Sequence, residues 1–360
     1  MKVYDCFTFF NEMDLLELRL NQMAPYVDVF VLVEAPVTFR GQAKPLHYAD
    51  NRARFAPFVD KIRHVVVPDM PAGEEAWVRE RFQRDCIRRG LHDAEPGDTV
   101  LVSDVDEIIR RPAVEAASSR AAFCYLTLDL FYFYANWRAT SPNGRLWTKA
   151  YALPYAAIAA LECLSQPRER DALEYLRDQA LDPARAIVDH AGWHFSWTGG
   201  PQRLVAKMDA FSHGEDAMQR WNDADALAEA IANQRFFYDG EALENLNLSV
   251  GFPSFLRDNE RRFQGLGLVS PNAGDGCSMH EASRLVTEKT IAELQTRLAA
   301  VQNEQSSALA QHAESREGDL AVARDLRTAL DAAHASASWR VTAPARYAAT
   351  LVRRAFGLMG

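Results

Sequence analysis

Cysteine is sparse and scattered in this chain: Cys6, Cys86, Cys124, Cys163 and Cys277 form no CxxC pair and their number is odd. A disulfide framework is therefore not expected, and the pattern suits a reducing compartment where each thiol acts as a small hydrophobe. Long apolar runs are lacking too. The first one, through Phe10, carries Asp5 and is too short to span a bilayer, and no later run reaches that length. Met1-Lys2-Val3-Tyr4-Asp5 has no secretory character, so a cytoplasmic location is expected unless something else tethers the chain. Positive charge is not in excess: a net charge of −9 without a broad basic stripe argues against nucleic acid as a partner. At 360 residues, 48% apolar and 25% charged, the chain can still bury a substantial globular core.

What is present begins with alternation. VYDCFTFF (3–10) reads as a strand, and Asn11 can cap a helix through EMDLLELRLNQM, whose leucines recur at helical spacing. VDVFVLVE (27–34) is a continuous apolar run of the kind buried on both faces, and IRHVVV (62–67) is a third strand. EEAWVRERFQRDCIRRGL (74–91) is a charged amphipathic helix, followed by the strand TVLVSD. This spacing predicts an α/β fold with a mostly parallel central sheet.

After Pro112 the character changes. AAFCYLTLDLFYFYANW (121–137) suits one bent strand or two, AIVDHAGWHFSWTGG (186–200) is strand-like, and Gly199-Gly200-Pro201 opens a helix to about Ser212. Residues 216–232 read as helix, and 251–280 as a loop wrapping the core. From 281 to 337 there is no proline, and Ile291, Leu294, Leu298, Val301, Ala308, Val322, Leu326 and Ala329 share a heptad register, interrupted at Gln305, His312, Ser315 and Asp319. The expected organisation is a domain over 1–280, a helical stalk able to form a homodimer seam over 281–337, and a tail over 338–360. In the tail Arg340, Arg346, Arg353 and Arg354 alternate with aromatic and apolar residues without any acid, which suits an anionic membrane surface.

The segment richest in chemistry is Val100-Leu101-Val102-Ser103-Asp104-Val105-Asp106-Glu107. It brings Asp104 and Asp106 to the carboxyl end of a strand, where open α/β sheets bind ligands. Residues i and i+2 of a strand point the same way, so both carboxylates can face one divalent cation, Mn²⁺ or Mg²⁺, completed by substrate phosphates. That is the DxD arrangement of nucleotide-sugar glycosyltransferases; a solvated acidic turn is the plainer alternative. His194 is a candidate third ligand or a core histidine bonded to a carbonyl, and its neighbour Trp193 offers a face for a sugar ring. The N–H groups of Gly199 and Gly200 can meet a diphosphate at a helix start, with Lys207 two turns on. Asn11, Glu12 and Glu34 end the first two strands, where ribose or uracil would bind, although Asn11 and Glu12 equally suit helix capping. Arg84 can pair with phosphate, pair with Asp104, or stand solvated. Glu215 and Asp216 can supply a general base or merely favour a helix N-terminus, with Glu107 the next candidate base.

Assembled, these segments resemble glycosyltransferase family 17, the β-1,4-mannosyl-glycoprotein 4-β-N-acetylglucosaminyltransferase family, in a bacterial-type form. The resemblance is carried by YDCFTFFNEMDLLELRL (4–20), VDVFVLVEAPVTFRGQAKPL (27–46), Trp77 with Arg84, VSDVDEI (102–108), AGWHFSW (191–197) with Lys207, and FFYDG (236–240). It implies a GT-A-like fold, a UDP-GlcNAc donor, a divalent metal and inversion at the anomeric carbon. The expected function is therefore an inverting, metal-dependent transfer of GlcNAc to a glycan or lipid-linked glycan acceptor, in the cytoplasm or peripheral on the inner face of the membrane. A metal-dependent phosphoesterase and a non-catalytic nucleotide-binding coiled-coil scaffold are the alternatives.

Overall fold

The computed structural model describes residues 1–73, 75–141, 145–210, 221–249, 251–279, 292, 294–302 and 324–328. The chain divides into two units, Met1–Gly276 and Cys277–Gly360. The first is built on one sheet whose strands are β1 (Val3–Thr8), β2 (Val29–Glu34), β3 (Ile62–Val66), β4 (Thr99–Asp104), β5 (Glu107–Ile109), β6 (Cys124–Tyr132), β7 (Trp137–Ala139), β8 (Leu146–Pro154), β9 (Ile187–Ser196) and β10 (Leu243–Asn245). They lie in the order β10-β7-β6-β8-β4-β1-β2-β3, with β9 beside β6 and β5.

The α/β architecture expected from the alternation is present. β4, β1, β2 and β3 run parallel, joined by crossovers that include the helices Met13–Met23 and Ala76–Asp85. Their apolar side chains, Tyr4, Cys6, Val31, Val33, Val100 and Val102 among them, form one buried cluster. β8 then turns the sheet over, pairing antiparallel with β4 on one side and β6 on the other. The aromatic stretch resolves into two strands, β6 and β7, separated by a reversal with Phe133 at φ 63°.

Several local readings change. The helix after β1 begins at Met13 with Glu12, not Asn11, in the capping position; the Glu12 carboxylate accepts from the amides of Phe10 (3.2 Å) and Asn11 (3.1 Å). The helix expected over 74–91 spans Ala76–Asp85 and then tightens into a 3₁₀ segment, Cys86–Gly90. There a Cβ on Gly90 would stand 2.3 Å from Val31, so only glycine lets this turn press on β2. The expected loop over 251–280 contains the helices Ser254–Asp258 and Glu260–Gly265, too short to show periodicity, anchored by buried Leu256 and Phe263.

In the second unit, helix is described at 294–302 and 324–328. Leu294, Leu298 and Val301 pack with Leu326. One continuous helix would hold Leu298 and Leu326 about 42 Å apart at 1.5 Å per residue. Heptad positions of the two described stretches thus meet within one chain. The rest of the expected stalk, and the tail over 338–360, lie outside the described residues. No helix among the described residues is long and apolar enough to cross a membrane.

Candidate active site

A cavity of about 400 Å³ opens at the carboxyl ends of β1 and β4. Sheet register builds it. Parallel pairing sets Thr8 beside Asp104, and antiparallel pairing of β5 with β9 sets Glu107 beside His194. The amide of Phe195 donates to the carbonyl of Asp106 at 2.9 Å, so the histidine strand is sewn directly onto the acidic turn. Phe10, Thr38, Lys44, Trp147, Trp197 and Tyr238 are among the residues that line the cavity.

The two aspartates of the turn are differently held. Asp104 accepts from Arg84 (2.6 Å), Arg168 (2.5 Å) and the Thr8 hydroxyl (3.2 Å). Asp106 meets Lys207 Nζ at 3.1 Å and His194 Nε2 at 3.5 Å. Burial alone would push both carboxyls up. The guanidiniums of Arg168 and Arg84 outweigh it at Asp104, and Lys207 with His194 outweighs it at Asp106, so both sit well below the usual carboxylate range. Lys207 is raised in turn, because Asp106 and Glu12 offset its own desolvation.

Glu107 is not placed as a base. It is fully buried and its carboxylate accepts from Arg168 (2.8 and 3.1 Å), from the Asp104 amide (2.8 Å) and from the Trp147 indole. Four donors leave its oxygens committed to holding the turn, and it does not line the cavity. Glu34 is likewise turned inward, bonded to His64 (3.0 Å) and the Tyr48 amide (3.2 Å); Lys44, 3.6 Å from it, is what reaches the cavity. Trp193 points to the opposite face of β9 from His194, as strand alternation requires, with its indole on the Gly251 carbonyl (2.8 Å) and Arg110 over its ring. The tryptophans that line the cavity are instead Trp147 and Trp197. Gly199 and Gly200 take left-handed φ of 104° and 87° ahead of the helix Pro201–Ala210 but do not line the cavity, whereas Lys207 on that helix does. Arg84 takes the Asp104 partner, with Glu80 at 2.8 Å. Glu12 faces this cavity and a smaller one of about 30 Å³, which Asn11 also lines. Glu215 and Asp216 lie outside the described residues.

The expected three-ligand set of Asp104, Asp106 and His194 is not assembled: among the described residues no three His, Cys, Asp or Glu side chains converge on one ion position. Two guanidiniums hold Asp104, leaving Asp106 and His194 as the pair that shares a space. His194 Nδ1 is buried without a partner among the described residues, so Nε2 is its working nitrogen. Sequence reasoning missed Arg168, which lies in a stretch of short elements, Gln166–Glu169 and Ala172–Asp178, with no periodicity to read. It also missed Trp147 and the buried Arg19 beneath the turn.

Residues 1–140 match the model of glycosyltransferase family 17. The chain is similar to the beta-1,4-mannosyl-glycoprotein 4-beta-N-acetylglucosaminyltransferase of Rattus norvegicus, 22% identical over 248 residues, covering 62% of this chain and 44% of that protein. The Homo sapiens protein of the same name is 22% identical over 239 residues, covering 59% of this chain and 43% of its own length. The chain thus spans less than half the length of these curated relatives. A crystal structure of a putative glucose-1-phosphate thymidylyltransferase from Bacillus anthracis aligns over 54% of this chain and 88% of its own, at 12% identity and a TM-score of 0.31.

Proposed function

We propose that this chain, matched to glycosyltransferase family 17 over its first 140 residues, transfers GlcNAc from UDP-GlcNAc to a glycan hydroxyl with inversion. The observation that carries the reading is the cavity in which Asp106, His194 and Lys207 stand together at the carboxyl ends of β1 and β4. Departure of a nucleoside diphosphate adds one negative charge to its terminal phosphate, and the Lys207 ammonium would offset it. A carboxylate oxygen and an imidazole nitrogen 3.5 Å apart are donor types that suit Mn²⁺-like ions, so Asp106 and His194 would hold a divalent cation. When bound, such an ion supplies charge neutralisation for the diphosphate. Trp147, Trp197 and Tyr238 give the apolar faces on which a sugar ring rests. Glu215 and Asp216 remain our candidates for the carboxylate that takes the acceptor's proton. The basic tail over 338–360 would keep the enzyme near a lipid-linked acceptor on an anionic surface.

The test is incubation of the full chain with UDP-GlcNAc and Mn²⁺, following UDP and inorganic phosphate separately. UDP release that stops in EDTA is expected. Release of inorganic phosphate from the sugar nucleotide, or no reaction with any nucleotide sugar, would overturn the reading.

A further inference from the structure

Beneath the acidic turn lies a guanidinium that neither the proposed chemistry nor the family match assigns. Arg19, on the helix Met13–Met23, is fully buried and uses its whole fork. Nε and Nη2 chelate Asp5 on β1 at 2.7 and 2.5 Å, and Nη2 also donates to Ser103 Oγ at 2.6 Å. Nη1 reaches the backbone carbonyls of Asp104 (2.7 Å), Glu107 (2.7 Å) and Val105 (3.3 Å). The remaining carbonyl of the turn, that of Asp106, is taken by the Phe195 amide. All four carbonyls from 104 to 107 are thus accounted for, three by one cation and one by β9.

Carbonyl groups 104, 105 and 107 converge on a single point only if the backbone curls around that point. Curling them inward orients the intervening side chains outward, toward the cavity. We propose that Arg19 is a positioning residue: its guanidinium is the template around which residues 104–107 are wound, and it thereby sets Asp106 opposite His194. The inference rests on reading that cavity as the transfer site. Asp5 balances the buried charge, and the Phe7 ring covers it at 4.3 Å. Lysine cannot substitute, because an ammonium offers three donors from one nitrogen and has no planar fork with which to chelate Asp5 while holding the carbonyls.

The test compares Arg19→Lys with Arg138→Lys, a comparator that weakens another buried ion pair, to Glu244 at 3.2 Å, away from the turn. Melting temperature, kcat and KM for UDP release from UDP-GlcNAc, and affinity for Mn²⁺–UDP are measured for each. Both variants should melt lower. Arg19→Lys should also lose at least thirtyfold in kcat with KM changed less than threefold, while Arg138→Lys keeps its kcat. Equal kcat in the two variants at comparable melting temperature would reduce Arg19 to a structural ion pair. Should Arg19→Lys not fold, Ser103→Ala, which removes one of the fork's contacts, must still lower kcat severalfold at an unchanged melting temperature, and an unchanged kcat overturns the proposal. If the wild type turns over no nucleotide sugar, the transfer reading falls by itself. Positioning is then judged by Mn²⁺–UDP affinity, which must drop in Arg19→Lys alone.

Discussion

Asp104 and Asp106 leave the same turn, yet the first meets two guanidiniums and the second meets an ammonium and an imidazole. Arg84 comes from the helix Ala76–Asp85, and Arg168 from Gln166–Glu169, where it also grips the buried Glu107. These planar forks are permanently charged and committed to several partners at once, so Asp104 is firmly held even though it lines the cavity. His194 makes one ionic contact, to Asp106, and Lys207 makes a close one to Asp106 and a longer one to Glu12 at 3.9 Å. The two carboxylates of one loop are thus held by different kinds of partner, a division that a symmetric DxD motif does not disclose.

The largest effect should separate the two carboxylates. Asp106→Asn should cut UDP release at least a thousandfold, about 4 kcal/mol of transition-state stabilisation, with a modest fall in melting temperature. Asp104→Asn should lose more stability and less turnover. The reverse assignment of the two phenotypes would break the comparison. Next comes Arg168→Met, which leaves Asp104 and Glu107 short of a buried partner. A loss of about 3 kcal/mol in unfolding free energy, read from denaturant titration, is expected, with UDP affinity little changed. Lys207→Met should weaken UDP binding about tenfold by calorimetry, about 1.4 kcal/mol, with a loss of stability smaller than that of Arg168→Met because Asp106 keeps His194 as a partner.

The smallest effect is in pH. Carboxyls held below their usual range contribute stability that is present above the unfolded value near 3.9 and is lost as pH falls toward the depressed value. Lys207, raised, contributes stability that is present below about 10.4 and is lost as pH rises through its folded value. The melting temperature should therefore be flat between about pH 5 and 9 and fall outside that window. The acid limb should be shallower in Arg168→Met, which lacks one of the groups holding Asp104 down. Parallel acid limbs in the two proteins would show that Arg168 does not set Asp104.

Legibility followed the range of the interactions. β1, β2, β3 and β4 were readable because their apolar runs are local, and the carboxyl end of β4 pointed to Asp104 and Asp106 without any partner strand in view. Glu107 looked like a spare base because its four donors come from residues 104, 147 and 168, and no short window contains them. Trp193 and His194 were singled out together, although strand alternation alone requires that only one of them face the cavity. Arg19 looked like any arginine on a leucine-rich helix; nothing in DLLELRL says that its fork is buried under another strand's end.

The pairing of Glu107 with His194 has a kinetic side. It closes a loop of 87 residues (194 − 107), whereas β1 meets β2 through contacts such as Tyr4 with Val29, only 25 residues apart (29 − 4). Closing the longer loop costs about 4 kcal/mol of chain entropy, to be recovered by a strand of three residues. β1, β2 and β3 can pair before that cost is met, whereas β4 joins β1 only by closing a loop of 96 residues (99 − 3). The β1–β2–β3 ribbon is thus expected to form before either β4 or the Asp106–His194 corner is in place.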